Sequence, residues 1–316
     1  VSNEVSNNKL VIMPGYWFMY NMYALARNEG KYLSRDKRIN KTQQIEYDVL
    51  APDSVNEMFD ALRLMELFTA KAYIRQNKKK IADKDLQNTG KSLLEKNLAA
   101  VAKLEIIAEG FENSNRKVEL VKVPEAYKLF KELITYYGVT HLINFIGQRN
   151  IRSWQKLVQS LPGRPSRTAW KNIGGQLMPE TTLKTLIRNI RSAKINSWDE
   201  VHDFYDKKSS AYSLDKFQHA FASLQEVLKI TPKQFTKKVF TDLLKQSMLT
   251  KKKKTKGIYE SRAKDYQNSY RKMVYETQQE MEKVIGRLSD NSFINQQNEE
   301  TITFNKKVKS IIQMLG

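Results

Sequence analysis

The chain has 316 residues, of which 41% are apolar, 54 are Lys or Arg and 34 are Asp or Glu, giving a formal net charge of +20. An apolar share of this size excludes a disordered polyelectrolyte, and the length suits one large or two medium domains. Cysteine is absent, which removes disulfides, thiolate zinc sites and a cysteine nucleophile together and fits a reducing, cytoplasmic setting.

With only 12 glycines and 7 prolines, breakers are about half as frequent as usual, so the elements should be long, and the Lys, Glu, Gln, Leu and Ala content directs them to helix. The expected fold is all-α: a multi-helix bundle in two helical subdomains, with at most one minor strand pair. No apolar run approaches the roughly 20 residues that span a bilayer, so no membrane partner is expected. The start, Val1-Ser-Asn-Glu-Val, lacks the order of a signal peptide and suggests a processed or excised segment.

Residues 1–13 read as a polar leader and 14–147 as an N-terminal helical subdomain. Its first helix is predicted from Pro14 to Asn28, before Gly30. Aromatic and apolar groups from Tyr16 to Tyr23 point in nearly every direction, which predicts burial on several sides. Ser54 and Glu57 form a capping box ahead of Val55, Met58, Phe59, Leu62 and Met65 at helical spacing. A further helix is expected over Asp83–Glu109. Arg116–Val123 alternates charged and apolar residues, as a short strand or an extended linker would. Pro124 opens a helix that continues into apolar text up to Gly147.

From Leu133 to Pro179 there is no acidic residue, and within it residues 148–178 form a basic, loop-rich junction marked by Pro162, Gly163 and Pro165. The C-terminal helical subdomain, 179–316, then opens at Pro179. Ser197-Trp-Asp-Glu200 is a capping box, Ser213 reads as an N-cap, and Thr231-Pro232 opens another helix. Beyond the Lys251–Lys256 charge block, Tyr259, Ala263, Tyr266, Tyr270, Met273, Thr277 and Met281 recur at spacings of four and three. They predict a long amphipathic helix near 256–289, with a final helix ending at Leu315.

The acid-free stretch holds the leading site candidate. Arg149, Arg152, Arg164 and Arg167 are interleaved with Trp154 and Trp170 and close on Gly174-Gly175. Arginine forks suit phosphates, tryptophan gives a stacking face, and glycine admits backbone N–H groups to an anion. The competing reading is that the arginines pair with distant acids and the tryptophans are core. Asp199, His202, Asp203 and Asp206 share one helix face and form a weak metal candidate. First-turn acids also suit a helix N-terminus electrostatically, so no metal is assigned. No phosphate-loop, dinucleotide-binding, protease or kinase motif is present, and no cofactor is predicted.

Three sets of strings carry a family resemblance: Tyr20-Asn-Met-Tyr-Ala-Leu-Ala-Arg-Asn28 with Arg35-Asp-Lys-Arg38; Ile45-Glu-Tyr-Asp-Val-Leu-Ala-Pro-Asp-Ser-Val-Asn-Glu57; and Trp170-Lys-Asn-Ile-Gly-Gly-Gln-Leu177 with Ile195–His202 and His219-Ala220. Together they resemble the C-terminal region of a bacterial family of unknown function. The N-terminal half of that family is similar to the left-handed β-helix of hexapeptide-repeat acyltransferases and nucleotide-sugar enzymes. The resemblance spans residues 14–220 and brings no catalytic residues with it.

It implies an accessory helical region of a larger cytoplasmic protein tied to nucleotide-sugar or acyl transfer. Its partner would be the N-terminal β-helix domain of the same protein, and the arginine stretch would take a nucleotide or nucleotide sugar. The alternative is a nucleic-acid-binding helical module using that stretch and the lysine block. Third is an independent helical enzyme built on the Asp199–Asp206 cluster.

Overall fold

Scarcity of glycine and proline is expressed as helix along most of the chain. The computed structural model describes residues 2–5, 8–39, 45–113, 115–163 and 165–315. Strands β1 (Ser2–Val5) and β2 (Lys9–Ile12) precede helices α1 (Tyr16–Tyr20) and α2 (Met22–Arg35). Helices α3 (Pro52–Asn77), α4 (Asp83–Lys96) and α5 (Leu98–Val101) follow, then β3 (Ile106–Ile107), β4 (Lys117–Leu120) and α6 (Val123–Gln148). After α7 (Trp154–Ser160) come β5 (Trp170–Ile173), β6 (Gln176–Pro179), α8 (Glu180–Arg191) and α9 (Trp198–Leu228). A 3-10 turn at Pro232–Gln234 leads to α10 (Lys237–Gln267), α11 (Ser269–Lys272), α12 (Gln278–Ile285) and α13 (Ser292–Leu315). The fold is mostly α, with two small sheets where the sequence suggested one strand pair at most. Among the described residues no helix is long and apolar enough to cross a membrane.

The chain divides into two compact units, Val1–Met19 with Asn56–Glu132 and Tyr20–Val55 with Leu133–Gly316. The basic stretch 148–178 therefore lies inside the second unit.

In the first unit the strands run in the order β1-β2-β4-β3. β1 and β2 are antiparallel, β2 and β4 parallel, and β3 and β4 antiparallel. Val11, Ile106, Val118 and Leu120 face inward from it; the alternating text of Arg116–Val123 is thus a strand. Met58, Phe59, Leu62 and Met65 of α3 are buried as their spacing requires. The polar centre of this core is Glu66, which is buried and accepts the Tyr127 hydroxyl at 2.6 Å and the Gln87 amide. Helix α4 crosses at Gly90, where a Cβ would meet the Glu66 carbonyl oxygen at 1.7 Å.

Several boundaries move for local reasons. The predicted helix over Asp83–Glu109 stops at Asn97, which leaves helical geometry and caps α5 by accepting the Ala100 N–H at 3.2 Å. Asn21 likewise splits the first helix. With α1 reduced to five residues, none of its aromatics is fully buried, and Trp17 is 44% exposed. Helix α3 starts at Pro52, ahead of the Ser54 box, because proline at the first position already has helical φ.

The second unit packs α6, α9, α10 and α13 around Leu142, Ile143, Phe221, Leu224, Phe240 and Leu244, all essentially inaccessible. Each such side chain contributes about 1.5–3 kcal/mol by leaving water. Phe145 and Phe217 stack at 3.9 Å. Gly138 of α6 lies against α9, where a Cβ would meet Leu224 Cβ at 2.6 Å and the Ala220 carbonyl at 3.0 Å. α9 runs unbroken through Ser213; its true cap is Ser197, which accepts the Glu200 N–H at 3.2 Å.

The lysine block is helical, inside α10, with Lys251 paired to Glu300 at 3.4 Å and Lys254 over the Tyr136 ring at 5.2 Å. The long helix expected near 256–289 is divided among α10, α11 and α12. Asn268 caps α11 by accepting the Arg271 N–H, and Thr277 caps α12 by accepting the Glu280 N–H. Residues read as seam positions thus include a helix start.

Candidate functional site

The β5–β6 hairpin turns on Gly174 and Gly175, both with positive φ, +62° and +95°. A two-residue turn of this kind needs left-handed conformations that glycine adopts without steric cost. The Gly175 N–H donates to Asn172 Oδ1 at 2.8 Å within this turn. Its carbonyl accepts the Glu46 N–H at 3.0 Å, and Ile45 bridges to Gln176. The segment after α2 is thereby pinned to the hairpin, with Glu46 and Asp48 side by side.

Opposite them stands Lys216 of α9. Its Nζ lies 2.6 Å from Glu46 Oε2 and 3.2 Å from Asp48 Oδ2. The Lys216 and Glu46 side chains are 8% and 9% exposed, whereas Asp48 is 67% exposed at the rim. Glu46 also accepts the Tyr212 hydroxyl at 2.5 Å and the Asp48 N–H at 3.0 Å. Burying an ion pair is costly unless further hydrogen bonds satisfy the remaining lone pairs, and here four groups hold one another.

Behind the pair, rings continue inward. Tyr212 meets Trp170 edge-on at 5.9 Å, Trp170 meets His219 at 6.0 Å, and the Tyr137 hydroxyl lies 3.2 Å from His219 Nδ1. Tyr137 in turn meets His141 edge-on at 4.7 Å. Burial, aided by the Lys216 charge, lowers the pKa of His141 to about 3. Burial, then the charges of Arg167 and His141, lowers that of His219 to about 3. Both imidazoles are neutral at physiological pH. Burial first, then the Glu46 charge and hydrogen bond, pushes the Tyr212 hydroxyl far up, so it stays a donor.

The cluster opens into a cavity of about 280 Å³, walled also by Asn144, Gln148, Ser213 and Phe217. An adjacent cavity of about 190 Å³ shares Asp48, His141 and Asn144 and adds Glu29, Tyr136 and Lys254. There burial raises the Glu29 pKa and lowers that of Lys254, and burial raises Tyr136 to about 12. His141 lines both cavities and hydrogen-bonds no described residue. The cleft thus offers a neutral imidazole, two amides and a hydroxyl, beside one lysine paired with two carboxylates.

The sequence-derived candidates are distributed differently. Arg167 pairs with Glu226 through two nitrogens, at 2.8 and 3.1 Å. Trp170 is buried at the cluster above, and Trp154 packs on Phe235 and Phe240. Arg149 lies over the Phe145 ring at 6.0 Å, and Arg152 points a nitrogen at Met314 Sδ, 3.9 Å away. Arg164 lies outside the described residues. Asp199, His202, Asp203 and Asp206 are exposed along the first turns of α9, and no group of three metal-capable side chains occurs among the described residues.

The sequence singles out neither His141 nor Lys216 as a site: His141 reads as an isolated interior or surface histidine, and Lys216 carries no motif. A partial signal exists: each is a polar residue four positions before a core residue of its helix, Phe145 and Ala220.

Fold and cleft together define a mostly helical protein with an internal polar cluster at the wall of a small-molecule-sized cavity. A family model described as "Domain of unknown function (DUF6819)" matches residues 153–315, just over half of the chain, and the chain belongs to that family. Over 304 residues it is 29% identical to an uncharacterised protein of Treponema pallidum (strain Nichols), a match that covers 95% of this chain. The chain spans about 40% of that relative's length. No solved structure matches.

Proposed function

We propose that this chain is the helical part of a longer bacterial protein, and that its second unit binds a small, uncharged, hydroxyl-rich molecule such as a monosaccharide unit. The observation that carries this reading is the state of the cleft's polar groups. Lys216 is neutralised by Glu46 and Asp48, while the neutral His141 imidazole, without a partner among the described residues, faces the cavity with Asn144, Gln148 and Ser213. Such groups offer paired donors and acceptors that match hydroxyls. One lysine against two carboxylates disfavours an anion. A volume at the lower end of the usual range for ligand clefts suits a single ring.

The hexapeptide-repeat β-helix and its nucleotide-sugar or acyl-transfer chemistry belong to this proposal as properties of the longer protein. They are supported by the strings shared with that family and by the length of the Treponema relative beyond the matched part. A sugar-binding cleft would fit the nucleotide-sugar branch better than the acyl branch. Turnover is assigned outside this chain.

Saturation-transfer NMR with a panel of neutral monosaccharides tests the proposal. At least one should bind, and Asn144→Ala, an exposed position on α6, should weaken it by about tenfold, the loss of a well-formed hydrogen-bond pair. A panel without a binder, or a binder indifferent to Asn144→Ala and His141→Gln, would overturn it.

A further inference from the structure

A second cavity in the same unit has the opposite charge balance. It measures about 640 Å³ and lies among α2, α12 and the start of α13, well within the usual range of ligand clefts. The Arg27 guanidinium from α2 lies 5.4 Å from the Phe293 ring centroid. Phe293 meets Tyr23 edge-on at 5.7 Å, and the Arg262 guanidinium lies 5.2 Å from the Tyr23 ring centroid. Asn291 fixes this wall by donating to the Tyr23 hydroxyl at 3.2 Å while its Oδ1 accepts the Ile294 N–H at 3.1 Å. The Phe293 ring lies beside the Arg27 guanidinium at the cavity wall, and a guanidinium presents several N–H donors.

Lys283 of α12 lines the cavity as well, and neither it nor Arg27 makes an ion pair with a described residue. The two acids present are Glu282, bound to Arg287 at 2.9 Å, and Asp290, which accepts the Ser289 hydroxyl at 2.9 Å. Three cations against two acids leave the lining with a net positive charge, and Arg27 and Lys283 are its two cations outside an ion pair with a described residue.

We propose that this cavity binds the phosphate group of a phosphorylated small molecule, with Arg27 and Lys283 as its charged donors. A tetrahedral oxyanion suits a guanidinium fork and a lysine point charge arriving from separate helices. The site is independent of the Lys216 cleft and stands or falls without it.

Inorganic pyrophosphate titrated calorimetrically into the intact chain is the test. Saturable binding at one site is expected, and Arg27→Gln/Lys283→Gln should weaken it by about tenfold or more, since two charge-assisted donors are lost. Both residues are exposed, so the variant should fold, and circular dichroism checks that it does. The charge-matched control Lys103→Gln/Lys252→Gln removes the same net charge elsewhere and should leave the affinity unchanged. Orthophosphate should displace the probe and acetate at the same concentration should not. Absence of binding, equal losses in the two double variants, or displacement by acetate would each overturn the proposal.

Discussion

Lys216 sits inside the second unit paired with Glu46 and Asp48, and Glu46 in turn accepts the Tyr212 hydroxyl. Truncating one partner of such a pair leaves the other charge buried and alone. Lys216→Met should therefore destabilise the protein by about 3–5 kcal/mol in denaturant unfolding, and adding Glu46→Gln should recover much of that loss. A cost below about 1 kcal/mol would mean that the pair is solvated and not part of the core.

The histidines give a second prediction with a fixed sign. Both have folded pKa values near 3, below the ordinary 6.5, so the unfolded chain takes up protons first on acidification. Their contribution is full above pH 6.5 and is lost as pH falls from there toward 3. His141→Gln should flatten that stretch of the stability–pH curve by up to about 1.4 kcal/mol per pH unit. A variant curve parallel to the parent's would contradict the assignment.

At the scale of elements, the site depends on how closely α6 and α9 approach, since one carries His141 and the other Lys216. Gly138 sets that approach. Gly138→Ala should cost about 1–3 kcal/mol through overpacking and should also weaken ligand binding. Gly90→Ala, in the first unit, should destabilise as well but leave binding in the second unit intact. Ser197→Ala removes the α9 cap for about 1 kcal/mol; thermal unfolding would show all three.

The same scale shows what was legible beforehand. Periodic apolar text locates α3, Pro124 the start of α6, and four residues the Ser197 cap, whereas Asp290–Glu300 reads as a polar loop and α13 in fact begins at Ser292. Ser213 reads as a cap yet lies inside α9, because a serine inside a helix looks the same in sequence as one before it. The site was only half legible. Glu46 and Asp48 sit in a distinctive string, but Lys216 follows about 170 residues later, and only the folded chain brings them together. The arginines and tryptophans of the basic stretch were visible as a composition bias. Their partners, Glu226 for Arg167 and Phe235 for Trp154, lie beyond any local spacing.

For the whole molecule, a net charge of +20 must attract polyanions. The side chains that would turn attraction into single-strand recognition are engaged, since both tryptophans of the basic stretch pack on other rings. Fluorescence anisotropy with a single-stranded oligonucleotide should show binding only at low salt, indifferent to Arg167→Ala. Tight binding that survives about 200 mM salt would favour the nucleic-acid module instead. The Treponema relative extends well past the matched region.

Salt dependence of monosaccharide affinity separates a neutral cleft at Lys216 from the protein's surface charge. A neutral ligand held by His141, Asn144 and Ser213 releases no counterions. Its affinity should stay constant from about 50 to about 200 mM salt and fall in Asn144→Ala at both. A ligand whose affinity drops steeply over that range, with Asn144→Ala behaving as the parent, would contradict the account and place recognition on the protein's surface charge.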